Sequence, residues 1–367
     1  MRFALVGCGV IGDFHARAIA QLSPRARIVV AVDRDAARAS EFAAEYGGDA
    51  VTSLNEALVR KDVDAVAICT PSGVHAEQAV PALEAGKHVV IEKPVDVSLE
   101  AARRIADAER RSDRTVTVIS QHRFDVSSRF VHDAVRRGLL GRLTSAVATV
   151  PWWRSQDYYS SGNWRGTRRL DGGGALMNQG IHTIDLLVWM LGRPVEVFAW
   201  TDRLAHPDIE VEDTLVATVR FENGSLGVVH ATTAAYPGLG ARLDMHGDRG
   251  SAVIDNDRLV YFHSASAARE IAGDYGASGD GNQVAELDLE EQASGKGAAS
   301  DPAALSDAHT DQYSDFLDAV ATHRRPLVTV DEAVCTLSVI LAIYESAATG
   351  RPAPVGGTSA SRAPQPM

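Results

Sequence analysis

Close to its start the chain reads Phe3-Ala4-Leu5-Val6-Gly7-Cys8-Gly9-Val10-Ile11-Gly12, a short apolar run leading straight into Gly-x-Gly-x-x-Gly. A helical pattern follows from Asp13 to Leu22, and a second apolar run, Ile28 to Val32, ends in Asp33. The order strand, glycine turn, helix, strand, acid is the one a dinucleotide-binding half-domain needs. Gly7 permits the tight turn. Gly9 has no side chain, so backbone can approach a pyrophosphate. Val10 and Ile11 open a helix whose free N–H groups and positive dipole end favour phosphate. Gly12 lets that helix pack closely on the strand. Asp33 follows at roughly the twenty-residue spacing expected of an acid that bonds a ribose 2′-hydroxyl. Arg34, next to it, could instead hold a 2′-phosphate. A lone glycine triplet would be a weak signal; this full context makes it specific.

The first 120 residues continue the alternation. Asp35 to Tyr46 reads as a helix, Asn55 to Val59 as a helical turn and Ala65 to Thr70 as a buried parallel strand. Pro71-Ser72-Gly73 is a turn, and His75 to Ala85 a helix with Gly86 at its C-cap. His88 to Ile91 is another strand, followed by Glu92-Lys93-Pro94. Leu99 to Arg111 is a helix and Thr115 to Ile119 a strand. This grammar predicts a doubly wound parallel sheet of Rossmann type with right-handed crossovers.

After Gln121 the grammar changes. Ser127 to Arg137 reads as a helix, Leu143 to Val150 as a strand and Gly174 to Leu191 as one long helix. Strand-like runs follow at 195–201, 214–221, 225–233, 242–246 and 252–255, with Asn223-Gly224 as a hairpin turn. The second unit is therefore expected to be α+β with an open, mostly antiparallel sheet. Residues 264–308 read as a long surface excursion, and two helices close the fold near 309–321 and 331–348. We expect a nucleotide-binding domain over 1–121, a substrate-binding and oligomerisation domain over 122–355, and a disordered tail over 356–367.

Of 367 residues 45% are apolar, enough for two ordinary cores. No apolar stretch in this reading reaches membrane-spanning length, and no leader precedes the first strand. Cys8, Cys69 and Cys335 are few, odd in number and far apart, which suits reduced thiols in a cytoplasm. They lack metal-site spacing, so no metal is expected. A net charge of −12 without a dense basic stripe argues against nucleic acid and anionic membrane as partners.

Three constellations carry chemistry. Lys93 sits just past a strand end, where such sheets bind ligands, and Pro94 holds its turn rigid. A lysine desolvated there trades protons with a hydroxyl; a snorkelling surface lysine is the plain alternative. The second is Gly172-Gly173-Gly174 leading to Asn178 and His182. These two are four apart and share a helix face, with Asp185 three further on. The glycines admit a ligand or another backbone. From spacing alone, a helix packed on the sheet with a satisfied core histidine is the favoured reading of His182. The third is Trp152-Trp153-Arg154, Tyr158-Tyr159 and Trp164-Arg165. These fit either stacking on a sugar ring, with Arg forks for hydroxyls or a carboxylate, or an aromatic satellite core.

Together these motifs resemble the glucose–fructose oxidoreductase and inositol dehydrogenase family of NAD(P)-dependent sugar and cyclitol oxidoreductases. The resemblance spans essentially residues 1–350. It rests on the glycine fingerprint, Thr70-Pro71, His75, Glu92-Lys93-Pro94 and the glycine run before His182. It implies that Lys93 and His182 are catalytic, that His182 shuttles the hydroxyl proton, and that Thr70, Pro71, His75 and Glu92 line the cofactor. It implies NAD, with NADP as the alternative. A small-molecule sugar or cyclitol would contact Lys93, Arg123, Trp153, Arg154, Tyr159, Trp164, Arg165, Asn178 and His182. A homodimer or homotetramer is expected, as in relatives. One departure is Asn178, where many members carry aspartate; an amide orients a hydroxyl but relays no proton. The aromatic segment with Met177-Asn178-Gln179 resembles members acting on pyranosides or nucleotide-linked sugars, including 3-dehydrogenases of UDP-N-acetylglucosaminuronate. The expected activity is NAD-dependent oxidation of a ring hydroxyl. The alternatives are an NADPH-dependent ketosugar reductase and a cofactor-bound sensor without turnover.

Overall fold

The computed structural model describes residues 1–265, 281–287, 289 and 305–356. Its first sheet has six strands: β1 (Arg2–Val6), β2 (Arg27–Val32), β3 (Asp49–Val51), β4 (Ala65–Ile68), β5 (His88–Ile91) and β6 (Val116–Val118). They lie in the order β3-β2-β1-β4-β5-β6, and every pairing is parallel. The strands are nearly all apolar because both faces are covered. Phe3 and Leu5 pack on one side with Ala16 and Ile19 of the helix Val10–Gln21. Ala4 and Val6 pack on the other with Ala79 and Leu83 of the helix His75–Glu84. The strand order reverses between β1 and β4, so the crevice for a ligand opens at their carboxyl ends.

The second sheet has eight strands: β7 (Leu143–Pro151), β8 (Pro194–Asp202), β9 (Thr214–Phe221), β10 (Leu226–Thr232), β11 (Arg242–Gly247), β12 (Gly250–Asp255), β13 (Arg258–Ser264) and β14 (Ala353–Pro354). Their order is β13-β12-β11-β7-β10-β9-β8-β14, antiparallel except where β10 runs parallel to β7. Along β9, Leu215, Ala217 and Val219 face inward while Val216, Thr218 and Arg220 face solvent. The inner face is covered by the helices Ile181–Leu191 and Val330–Thr349.

Three expectations change. The helix read over 174–191 begins as a π-wound turn, Ala175–Gly180, before regular α-geometry over Ile181–Leu191. The helix Val330–Thr349 is long and apolar enough on its own to cross a membrane, contrary to the reading of the sequence. Here half of it is buried, with Val330, Leu337, Val339 and Ile340 wholly inside. Finally, the helix Leu305–Thr322 returns to the first unit: the Tyr313 ring meets Phe3 edge-on at 5.6 Å. The surface excursion read over 264–308 and the tail read over 356–367 lie largely outside the described residues.

Candidate functional site

The glycine turn between β1 and the first helix has the shape its sequence requires. Gly7 has φ +97°, and a Cβ on it would sit 2.6 Å from the Cys69 carbonyl oxygen. A Cβ on Gly12 would lie 2.2 Å from the Gly7 oxygen, so helix and turn touch there. Gly9 is different: a Cβ would meet nothing within 4 Å. Its bareness therefore leaves open space, as the approach of a pyrophosphate needs. No side chain caps this helix at Gly9, and Val10 beside it is 72% exposed. Asp33 closes the end of β2 and accepts from the Cys8 and Asp35 amides, both at 3.0 Å. The cation nearest to it is Arg38, at 3.6 Å, rather than Arg34, which is exposed. These groups fit a dinucleotide with a free ribose diol.

Three residues expected to line the cofactor are occupied within the protein. His75 is fully buried, and its ring nitrogens face the carbonyls of Pro94, at 2.8 Å, and Thr70, at 3.0 Å. It ties the carboxyl ends of β4 and β5 together. The Thr70 hydroxyl donates to Gln78, and Pro71 starts the short turn Ser72–Val74. The Glu92 carboxylate turns inward to His15 Nε2 at 2.9 Å, with His309 at 3.5 Å, and accepts the Lys93 amide. Burial opposes its charge, but the two histidines outweigh it and hold Glu92 well below the usual carboxylate range.

Lys93 follows at the end of β5. Its ammonium donates to the Asn178 backbone carbonyl at 2.9 Å and to Asn178 Oδ1 at 3.3 Å. The π-wound turn falls where that carbonyl is engaged by a side chain. Such bulges recur at functional sites. The Asn178 Nδ2 donates in turn to Asp171 at 2.7 Å. The aspartate expected at 178 by resemblance is thus replaced by an amide, with a carboxylate behind it. Nothing in the sequence pattern singled out Asp171. The glycine run before this turn serves packing: a Cβ on Gly174 would lie 1.8 Å from the Glu212 carbonyl oxygen, and one on Gly173 2.2 Å from Tyr344 Oη. The Glu212 carboxylate accepts from the Gly174 and Leu176 amides and fixes the turn's start.

His182, one turn on, lines the same small cavity as Lys93, with Ser120 and Ile119 from the end of β6. Burial, the neighbouring His122 and Lys93 hold it well below the ordinary histidine value, so its ring is neutral at physiological pH. The two imidazoles meet edge-on at 5.1 Å. Burial opposes a charge on His122, yet Asp257, at 3.1 Å, and Asp125, at 2.9 Å, raise its pKa well above normal. The second sheet supplies Asp257 through the tight β12–β13 turn, where Asn256 and Asp257 both have positive φ. Neither His122 nor these carboxylates was anticipated.

The proposed substrate residues divide. Arg123 is 1% exposed; it pairs with Asp185, at 2.6 and 2.8 Å, and with Glu332, at 2.9 Å. Its charge is spent inside the core, which corrects its reading as a substrate ligand. Tyr159 is likewise structural: its hydroxyl meets Thr233 at 2.8 Å and its ring packs with Ile209 and Val211. Arg154 and Arg165 both lie over the Tyr158 ring, at 5.4 and 4.9 Å, and Arg165 also over Trp164. Arg154 donates to Gln179, which donates to Asn178 Oδ1, so this aromatic shelf is joined to Lys93 by hydrogen bonds. Trp153 stands at the rim, 39% exposed, against Tyr236.

Comparison with known proteins agrees with this geometry. Residues 1–120 match the model of an oxidoreductase family with an NAD-binding Rossmann fold, and residues 128–253 match the GFO/IDH/MocA C-terminal domain. The uncharacterized oxidoreductase YrbE of Bacillus subtilis is 31% identical over 69% of this chain and 73% of its own. Inositol 2-dehydrogenase of Rhizobium meliloti is 28% identical over 72% and 79%. The WlbA dehydrogenase of Bordetella pertussis, solved with NADH and UDP-GlcNAcA, superposes with a TM-score of 0.84 at 30% identity, covering 98% of both chains. With the fingerprint, the sheet order and both domain models in agreement, this chain belongs to the GFO/IDH/MocA family of NAD-binding oxidoreductases.

Proposed function

We propose that this protein oxidises a ring hydroxyl of a sugar, cyclitol or sugar derivative with NAD. The observation that carries this reading is the convergence of Lys93 and neutral His182 on one small cavity at the carboxyl ends of the Rossmann strands. NAD supplies the hydride acceptor when bound. The chain supplies orientation and proton traffic. Lys93 holds the hydroxyl oxygen, His182 takes its proton, and the carbon–oxygen bond becomes a carbonyl as the carbon-bound hydrogen leaves as hydride. Gly9 leaves room for the pyrophosphate, and Asp33 receives the ribose diol and disfavours a 2′-phosphate.

Arg154 and Arg165 add a preference. Their hydrogen bonds go to Trp153, Gln179 and Ser161, all neutral, so both charges are available to an acidic group on the sugar. Subunits pair through the outer face of the second sheet, as a homodimer or homotetramer. There Trp200, Val216, Val228 and Leu226 stand exposed on adjacent strands. We place the protein in the cytoplasm, where its three free thiols stay reduced.

The test is steady-state turnover on a panel of neutral sugars, inositols, uronates and nucleotide-linked sugars, with NAD and NADP in parallel. Reduction of NAD by at least one panel member is expected. NADH binding without turnover in either direction would instead identify a cofactor-bound sensor.

A further inference from the structure

Asp171 is 2% exposed and has no assigned role in the hydroxyl oxidation, yet only the Asn178 side chain stands between it and Lys93. Its Oδ2 accepts the Gly166 amide at 2.8 Å, and its own amide bonds the Thr167 carbonyl, so the carboxylate is fixed within its turn. Its Oδ1 accepts Asn178 Nδ2 at 2.7 Å, while Asn178 Oδ1 accepts Lys93 Nζ at 3.3 Å and Gln179 Nε2 at 3.3 Å. A carboxylate only accepts and an ammonium only donates. An amide strung between them has one satisfied orientation, with NH₂ toward Asp171 and oxygen toward Lys93.

We propose that Asp171 is a positioning residue: acting through the Asn178 amide, it fixes the direction in which Lys93 presents its ammonium to the substrate hydroxyl. This rests on the hydroxyl oxidation proposed above. Two N–H groups of Lys93 are committed to Asn178, one to each oxygen, which leaves the third for substrate. Losing the carboxylate frees the amide to rotate and to turn donors toward another donor.

The arrangement also responds to pH. Burial pushes Asp171 up to about 6, against the Gly166 amide, the Lys93 charge, the Asn178 amide and Arg165. The other titratable groups that feel its charge are Tyr159, from the helix Gln156–Ser160, and Tyr344, from the helix Val330–Thr349. Once protonated, the carboxyl donates as well as accepts, and the amide loses its unique orientation.

The test is a double-mutant cycle on kcat with Asp171→Asn, Asn178→Ala and the double variant, each with NADH binding measured by fluorescence. Loss of one side-chain hydrogen bond corresponds to about a fivefold effect. Each single variant should lose about fivefold in kcat and bind NADH as wild type does. The double should also lose about fivefold, because both changes break the same link. Wild-type kcat should step down as pH falls through about 6, and Asp171→Asn should lack that step. Multiplied losses of about 25-fold, or an unchanged step in Asp171→Asn, overturn the proposal. If Asp171→Asn does not fold, Asp171→Ser, which also removes the titratable carboxyl, takes its place in the cycle with the same two readouts. Absence of wild-type turnover on the whole panel would overturn the dehydrogenase reading itself, whereas turnover with multiplicative losses overturns only the role of Asp171.

Discussion

Lys93 and Asn178 are joined twice: one ammonium bonds both the backbone and the side-chain oxygen of one residue, at 2.9 and 3.3 Å. Asn178 is therefore first a partner of Lys93. The backbone bond does not depend on the side chain, so Asn178→Ala keeps half of the link. Its turnover should fall about fivefold, the value of one side-chain hydrogen bond. Lys93→Ala removes the group itself and should cost about 100- to 10,000-fold in kcat, the range for a positioned acid–base residue. NADH binding by both variants should stay near wild type. A Lys93→Ala protein that keeps more than about a tenth of wild-type turnover contradicts the assignment.

The fingerprint glycines should separate folding from binding. Gly9→Ala places its methyl in open space, whereas Gly12→Ala drives it to 2.2 Å from the Gly7 oxygen. Gly9→Ala should melt as wild type does and bind NADH at least about tenfold more weakly, since the methyl fills the pyrophosphate approach. Gly12→Ala should lower Tm or yield insoluble protein. Thermal melts with and without NADH distinguish the two, and equal NADH affinity in Gly9→Ala would remove the pyrophosphate from that turn.

Cofactor choice turns on Asp33 and the arginine beside it. Asp33 repels a 2′-phosphate, so kcat/KM should favour NAD. Asp33→Ser should release Arg38, now 3.6 Å away, and exposed Arg34 to hold that phosphate. The ratio of kcat/KM for NADP over NAD should rise at least about tenfold. A wild type more efficient with NADP contradicts the reading.

Asp257 offers a test of the paired histidines. Asn tolerates the positive φ of this position, so Asp257→Asn changes charge with little backbone strain. His122 should then lose its proton at lower pH, and His182, freed of a positive neighbour, should titrate higher. The His182 limb of the pH–rate profile should move upward. Stability should respond as well. The native pKa of His122 is raised, so its contribution is complete below the unfolded value of about 6.5. It fades as pH rises through the native value. Wild-type Tm should therefore fall on the alkaline side, and Asp257→Asn should flatten that fall.

The parallel sheet and its ligand-binding edge were legible because the apolar runs, glycines and Asp33 are local signals of fixed spacing. That Lys93 and His182 come together was legible by position and resemblance. What escaped was non-local. Asp171 approaches Lys93 only because the loop before the glycine run folds back on the site. Asp257 reaches His122 from the far sheet through a two-residue turn. Arg123 looked like a substrate fork, since its sequence neighbourhood does not disclose Asp185 and Glu332, which fold in from distant helices. The π-wound turn escaped for a similar reason. Residues 174–191 carry one helical pattern, and the widening depends on Glu212 and Lys93 engaging its backbone.

The most direct measurement is the pH–rate profile of wild type and His182→Ala with NAD, on the best substrate of the panel. The His182 ring is neutral here, held well below its ordinary pKa by burial, His122 and Lys93. The expected result is a loss of at least about 100-fold in His182→Ala, together with the disappearance of the wild-type limb that lies on the acid side of the ordinary histidine range. Near-normal turnover with an unchanged profile would make His182 a structural histidine and leave Lys93 as the only proton-transfer residue.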